Sequence, residues 1–322
     1  MPRSLVTGGA GFIGSHLCER LVAAGHDVVC VDNFITGRSA NVQHLAGQKR
    51  FTLLESDIRK PLHVPGRLDH IFHLASLASP KDYVRHPLET LEAGSIGSTH
   101  TLELARNSGA TFLFTSSSEV YGDPLVHPQR EDYWGNVNPN GPRSMYDESK
   151  RFGEAIAMAY HRQYGVSIRI ARIFNTYGPR MRIGDGRVIP AFVTQALQER
   201  PLTVYGDGTQ TRSLCYVDDT VEALFLLGTK TFPKDVQGVG LVINIGNPNE
   251  LTMLDLARLV LKATGSKSPI IHEPLPEDDP KKRRPDISRA RASLSWEPRV
   301  PLREGIKSTI PYFKAASMTK AS

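Results

Sequence analysis

The feature that most restricts this chain is its set of glycines at 8, 11 and 14, in Thr7-Gly8-Gly9-Ala10-Gly11-Phe12-Ile13-Gly14. The run follows a short apolar stretch, Ser4-Leu5-Val6, and leads into a helix-like segment with Ile13, Leu17, Leu21 and Val22 facing inward. Strand, glycine turn and helix in that order make a dinucleotide-binding unit. Gly8 permits the tight turn, Gly11 lets the backbone approach a pyrophosphate, and Gly14 lets the helix pack on the strand. The pyrophosphate is then expected at the helix N-terminus, with Phe12 and Ile13, where free N–H groups point at it. Asp32 closes the next strand-like run and, with its neighbour Asn33, is expected at the adenosine ribose. A carboxylate there repels the extra phosphate of NADP. The expected cofactor is NAD, with Arg38 nearby arguing the other way. Asp57-Ile58 are expected to bracket the adenine, and Leu74-Ala75-Ser76 to pass under the middle of the cofactor.

The first half of the chain repeats this alternation. Residues 27–31, 51–55, 70–74, 111–116 and 167–173 read as strands, and 14–24, 87–108 and 147–164 as helices. The rhythm predicts an α/β fold, a doubly wound parallel sheet (Rossmann-like), with a dinucleotide-binding domain over 1–175. After Asn175 the rhythm loosens. Gly178-Pro179-Arg180, Gly184-Asp185-Gly186 and Gly206-Asp207-Gly208 mark loops, between helices at 188–199, 218–229 and 252–264 and a strand at 241–245. A smaller C-terminal substrate-binding region is expected over 176–314, with a segment of about 209–245 returning to the first domain. A polar stretch follows at 274–285, and 315–322 is expected to fray.

At 322 residues and 40% hydrophobic, the chain can bury a sizeable core. Its formal charge of +6 is partly local, in Lys281-Lys282-Arg283-Arg284. With no RNA-binding aromatic signature and no zinc-finger spacing, that charge suits an anionic small molecule rather than nucleic acid. No run is long and apolar enough for a bilayer, and strand-like sequence starts at Ser4, so neither a membrane anchor nor a signal peptide is expected. Cys18, Cys30 and Cys215 are scattered and odd in number. They suit a reducing cytoplasm and give no metal spacing.

Chemistry is concentrated in Tyr146-Asp147-Glu148-Ser149-Lys150, which sets a phenol and an ammonium one helical turn apart on one face. A free phenol, with a pKa of about 10, is a poor base at neutral pH. A nearby ammonium and a positive nicotinamide are expected to pull that value down. Tyr146 then takes the proton of an alcohol whose carbon gives up hydride, and Lys150 holds the nicotinamide ribose. The strand end Thr115-Ser116-Ser117-Ser118-Glu119 falls where ligands collect in such sheets. Ser117 is expected to hydrogen-bond the reacting oxygen, and Glu119 places a carboxylate beside it.

These residues resemble the extended short-chain dehydrogenase/reductase family that works on nucleotide sugars, over nearly the whole chain. Within it the likeness is strongest to the branch that decarboxylates UDP-glucuronate, through residues 117–124, 133–139, 172–181, 185–188 and 209–213. Sister 4,6-dehydratases show Thr-Asp-Glu where this chain has Ser117-Ser118-Glu119, and 4-epimerases usually lack the acid at 119. The resemblance implies conversion of UDP-glucuronate to UDP-xylose through a 4-keto sugar, with NAD regenerated. It implies catalytic roles for Tyr146, Lys150, Ser117, Glu119 and Arg283, with Arg284 the alternative to Arg283. It places Asn175 and Arg212 at the diphosphate, Arg187 and Val188 around the uracil, and Ser118 and Tyr205 elsewhere on the substrate. It also implies a homodimer through helices 87–108 and 147–164. The sequence leaves open UDP or dTDP, and as other activities a 4-epimerase, a 4,6-dehydratase or a non-catalytic NAD(H) sensor. Three departures stand out: Ser117 where the branch usually has Thr, Ser149 where it usually has Gly, and Gly94 where Asn is common. The last is expected to loosen the loop beside the cofactor.

Overall fold

Successive side chains of a strand leave opposite faces of its sheet, and here both faces are apolar. Leu5, Ile71, Phe112 and Ile170 belong to one buried cluster, and Val6, Phe72, Leu113 and Ala171 to the other. Strands buried on both sides belong to a parallel sheet covered by helices. The computed structural model describes residues 1–233, 241–275 and 282–318. In it, seven parallel strands lie in the order Leu241–Ile245, Ile168–Ile173, Thr111–Ser117, His70–His73, Arg3–Thr7, Asp27–Asp32 and Phe51–Glu55. Helices Phe12–Ala23 and Val217–Thr229 cover one face, and Ser98–Ser108 and Ser144–Tyr164 the other.

The chain leaves Arg3–Thr7 toward Asp27–Asp32 and Phe51–Glu55, then crosses back to His70–His73 and continues outward on the other side. That reversal opens a crevice at the carboxyl ends of the strands. Smaller sheets close over it. Leu202–Tyr205 pairs with Ile270–Glu273, and Thr211–Ser213 lies between Glu250–Thr252 and Lys282–Arg283. Although late in the sequence, Leu241–Ile245 extends the main sheet beside Ile168–Ile173.

Three expected elements differ in extent in ways that bear on the site or the C-terminal end. The helix expected over 87–108 is Pro87–Glu92 and Ser98–Ser108, joined by a wide π turn at Ala93–Gly97. The helix expected from residue 147 begins at Ser144, so Tyr146 lies in its first turn. The tail expected to fray from residue 315 is helical to Met318, because the helix Leu302–Met318 buries Ile306 and Phe313. Residues 319–322 lie outside the described residues, as do 234–240 of the returning segment and 276–281 of the polar stretch, Lys281 included.

Candidate active site

One cavity of about 830 Å3 runs along the crevice, and the site residues expected from the sequence line it, apart from Arg284, the alternative to Arg283. Its dinucleotide end is built from backbone. Gly8 has φ +68°, and a Cβ there meets the backbone of Ala75 at 2.8 Å. At Gly14 a Cβ meets the Gly8 carbonyl oxygen at 2.1 Å. Helix Phe12–Ala23 starts at Gly11 with no side-chain cap, so its first N–H groups face the cavity with no intrahelical partner. This is a cradle for a phosphate. The Ala10 and Phe34 N–H groups donate to the Asp32 carboxylate at 3.0 and 2.9 Å, fixing its orientation at the strand end. Burial raises the Asp32 carboxyl, and those backbone donors oppose the rise. Asp57 is held by Arg59, which also reaches Glu92; hydrogen bonds from Arg59 pull its carboxyl down to about 2. Glycine cradle, uncapped helix end and oriented carboxylate together fit NAD.

The reactive end is set by the helix Ser144–Tyr164. Tyr146 and Lys150 are buried on one face of it. The Lys150 Nζ donates to the Thr115 carbonyl at 2.9 Å and lies 5.7 Å from the centre of the Tyr146 ring. Burial lowers this ammonium to about 8. Burial also pushes the Tyr146 phenol well above its ordinary value, opposed by a hydrogen bond with Ser117. The acidified phenol expected from the sequence draws on a nicotinamide charge as well as Lys150; in the protein alone, desolvation sets the direction. The Tyr146 ring stacks on Tyr83, centroids 5.2 Å apart and planes at 14°.

Glu119 lies at the end of Thr111–Ser117, in a short 3-10 turn capped by Ser117. Arg283, brought in by the parallel pairing of Lys282–Arg283 with Thr211–Arg212, bonds Glu119 through both terminal nitrogens, one at 2.9 Å. Arg143 meets the same carboxylate at 2.8 Å. Burial works against the charge, but the two guanidiniums win and hold Glu119 down to about 2. Asp147, buried beside them, is pushed up to about 7 by burial and by Glu119. Arg283 lines the cavity, and Arg284 is not among the lining residues.

At the far end Arg212 and Tyr205 line the cavity with Gln195, Met253 and Glu273. Arg187 lines it too, with its side chain paired to the buried Asp185. Asp82 joins Arg182 to Ser79, tying the 79–85 segment to the 180–187 loop beside the cavity. Sequence reasoning missed Arg143, Tyr83 and this tie. Arg143 had one available signal: it lies one helical turn before Tyr146.

The departure at Gly94 is also corrected. It lies in no loose loop. It is buried in the π turn, and a Cβ there meets the Ser149 Cβ at 2.6 Å.

Fold and cavity define a nucleotide-dependent enzyme of the doubly wound α/β class. The chain belongs to the NAD dependent epimerase/dehydratase family, whose model matches residues 4–246. It is 50% identical over 311 residues to UDP-glucuronic acid decarboxylase 1 of Danio rerio, covering 97% of this chain and 72% of that protein. It is 52% identical over 307 residues to UDP-glucuronic acid decarboxylase 6 of Arabidopsis thaliana, covering 94% and 86%. Among solved structures it is similar to UDP-glucuronic acid 4-epimerase from Bacillus cereus in complex with UDP-glucuronic acid and NAD. There the identity is 30% and the TM-score 0.83, covering 98% of this chain and 99% of that one.

Proposed function

We propose that the protein is an NAD-dependent UDP-glucuronate decarboxylase that releases UDP-xylose. The observation that carries the reading is the buried Glu119–Arg283 pair beside Tyr146, in a chain half identical to proteins of that activity. Gly8, Gly11, Phe12, Ile13 and Gly14 hold the pyrophosphate of NAD. Asp32 and Asn33 hold its ribose, Asp57 and Ile58 its adenine, and Leu74, Ala75 and Ser76 its centre. When bound, NAD supplies a hydride acceptor at C4 that is restored within the same turnover, and a positive charge that favours the Tyr146 phenolate.

Tyr146 takes the proton of the 4-hydroxyl, and Ser117, hydrogen-bonded to the phenol, steers it. Lys150 stays anchored on the Thr115 carbonyl with its charge beside the cofactor site. Once C4 is a ketone, the C6 carboxylate is β to a carbonyl. The C5–C6 bond breaks, carbon dioxide leaves, and the electron pair delocalises onto the C4 oxygen as an enolate. Glu119 and Arg283 face the C5 side, and Arg283 assists protonation there. Ser118, Asn175, Arg212 and Tyr205 hold the diphosphate and sugar, and Arg187 and Val188 the uracil. In domain terms, 1–175 serves the cofactor and 176–314 the substrate, with about 209–245 returning to the first part.

The test is to incubate the pure protein with UDP-glucuronate and NAD and to identify the sugar nucleotide and the gas. UDP-xylose with carbon dioxide is expected. A nucleotide sugar that keeps its C6 carbon rejects decarboxylation in favour of 4-epimerisation. Tyr146→Phe is expected to lower turnover by about 10²–10⁴-fold.

The same reading makes the protein a cytoplasmic homodimer. Its three thiols, all buried and unpaired, suit a reducing compartment. Leu88, Leu91, Ile96 and Phe152 are large apolar side chains exposed on the paired helical segments, with Leu88 69% accessible. An apolar face of this kind suits a second copy. Leu88→Asp with Phe152→Asp is expected to yield monomers in sedimentation, and an unchanged mass rejects this face.

A further inference from the structure

Gly94 and Ser149 are far apart in sequence and touch in space. Gly94 is buried in the π turn Ala93–Gly97. Ser149 is 2% exposed on the helix Ser144–Tyr164, directly before Lys150 and one turn after Tyr146. A Cβ on Gly94 stands 2.6 Å from the Ser149 Cβ and 2.9 Å from the Ser149 carbonyl oxygen. Neither atom is the end of a flexible side chain, so a side chain at 94 must push the helix. The Ser149 hydroxyl donates to the Tyr146 carbonyl at 2.7 Å, which keeps this turn tied to the residue carrying the phenol. The space a side chain would need at 94 is therefore filled by Ser149.

We infer that Gly94 and Ser149 are a matched pair of positioning residues that sets how deeply Tyr146 and Lys150 enter the active site. Neither touches the reacting atoms. They act through the approach of two helical segments, one built around the π turn and one carrying the reactive pair. The wide turn matters here because it presents the residue-94 backbone to the neighbouring helix. Displacing that helix by about 1 Å is enough to cost about 10²-fold in rate.

The inference rests on the proposed roles of Tyr146 and Lys150, and substitutions on both sides of the contact test it. Gly94→Ala is expected to lower kcat with UDP-glucuronate by about ten-fold or more while KM moves less than about three-fold. NADH affinity, measured by fluorescence titration without substrate, is expected to weaken as Lys150 shifts. Adding Ser149→Gly is expected to restore most of both, the Ser149 carbonyl remaining as residual crowding. Gly97→Ala is the control on the same turn. Its Cβ meets the Ile58 Cδ1 at 2.5 Å, so Ser149→Gly is not expected to rescue it. Should Gly94→Ala not accumulate as folded protein, Ser149→Val crowds the contact from the other side and is expected to give the same split.

Gly94→Ala with wild-type kcat and NADH affinity overturns the inference. So does a loss that Ser149→Gly leaves in place, or one that falls on KM in step with kcat. NADH titration needs no sugar nucleotide, so a wild type that fails to decarboxylate refutes the functional proposal and leaves this comparison readable.

Discussion

Glu119 is caught between two guanidiniums in a space with little water, and that arrangement decides what each substitution costs. Its carboxylate is shared by Arg283, itself 4% exposed, and Arg143. Removing Arg283 leaves a carboxylate still paired with Arg143. Removing Glu119 leaves the buried Arg283 and the partly buried Arg143 close together, with Asp147 beside them. Breaking a buried pair in that way costs about 3–5 kcal/mol. Glu119→Ala is therefore expected to destabilise by that amount, and Arg283→Ala by clearly less, in urea melts of the two variants. Equal losses would mean that Arg143 does not share the carboxylate. The cluster also shows where sequence legibility ends at this scale. Glu119 and Arg283 were each identifiable from motifs, but their pairing across 164 residues was not. Arg143, in Gly141-Pro142-Arg143, reads as an ordinary loop until the helix beginning at Ser144 turns it toward the site.

Elements make the glycine turn more than a motif, because its glycines do different jobs. At Gly14 an added Cβ runs into backbone at 2.1 Å, whereas at Gly11 the closest atom is the Gly8 carbonyl oxygen at 3.1 Å. Gly14 keeps helix against strand. Gly11, with extended φ of −74° and ψ of −175°, leaves its Cα surface to the ligand. Gly14→Ala is thus expected to lower thermal stability and weaken NADH binding together. Gly11→Ala is expected to melt close to the wild type yet bind NADH at least about ten-fold more weakly, because close approach to a pyrophosphate is lost. A Gly11→Ala variant with unchanged NADH affinity would remove that residue from the cradle. The turn, the strand rhythm and the Tyr146–Lys150 spacing were legible because each is a local pattern with one period. The π turn at Ala93–Gly97 was not. Its apolar spacing passes for a single helix, and the extra residue shows only in the fold, where the turn lies against the helix carrying Ser149.

The whole molecule is held across its layers by polar ties as well as apolar burial, and His73, 2% exposed, is one of them. Its ring lies between Phe112 and Phe114, with centroid separations of 5.7 and 5.9 Å. One ring nitrogen meets the Thr7 hydroxyl at 2.9 Å on the neighbouring strand, and the other meets the Ser98 hydroxyl at 3.2 Å on the covering helix. Burial, aided by the Lys150 charge, lowers this imidazole to about 3. The unfolded chain therefore binds a proton at His73 below about pH 6.5 while the folded chain does not. Stability from this group is present in full above that pH and is lost as the pH falls toward 3. Between about pH 7 and about pH 5 the loss is on the order of 2 kcal/mol. His16, His26 and His70 are lowered too and act in the same direction, so the wild-type slope alone does not identify His73. The discriminating comparison is His73→Gln, which keeps a polar partner for Thr7 or Ser98 but cannot titrate. Urea melts at the two pH values are expected to show a smaller acid loss in His73→Gln than in the wild type, by about that same 2 kcal/mol. Parallel slopes in the two proteins would mean that the acid sensitivity of the fold lies in the other histidines and the paired carboxylates, and not at the junction of sheet and helix.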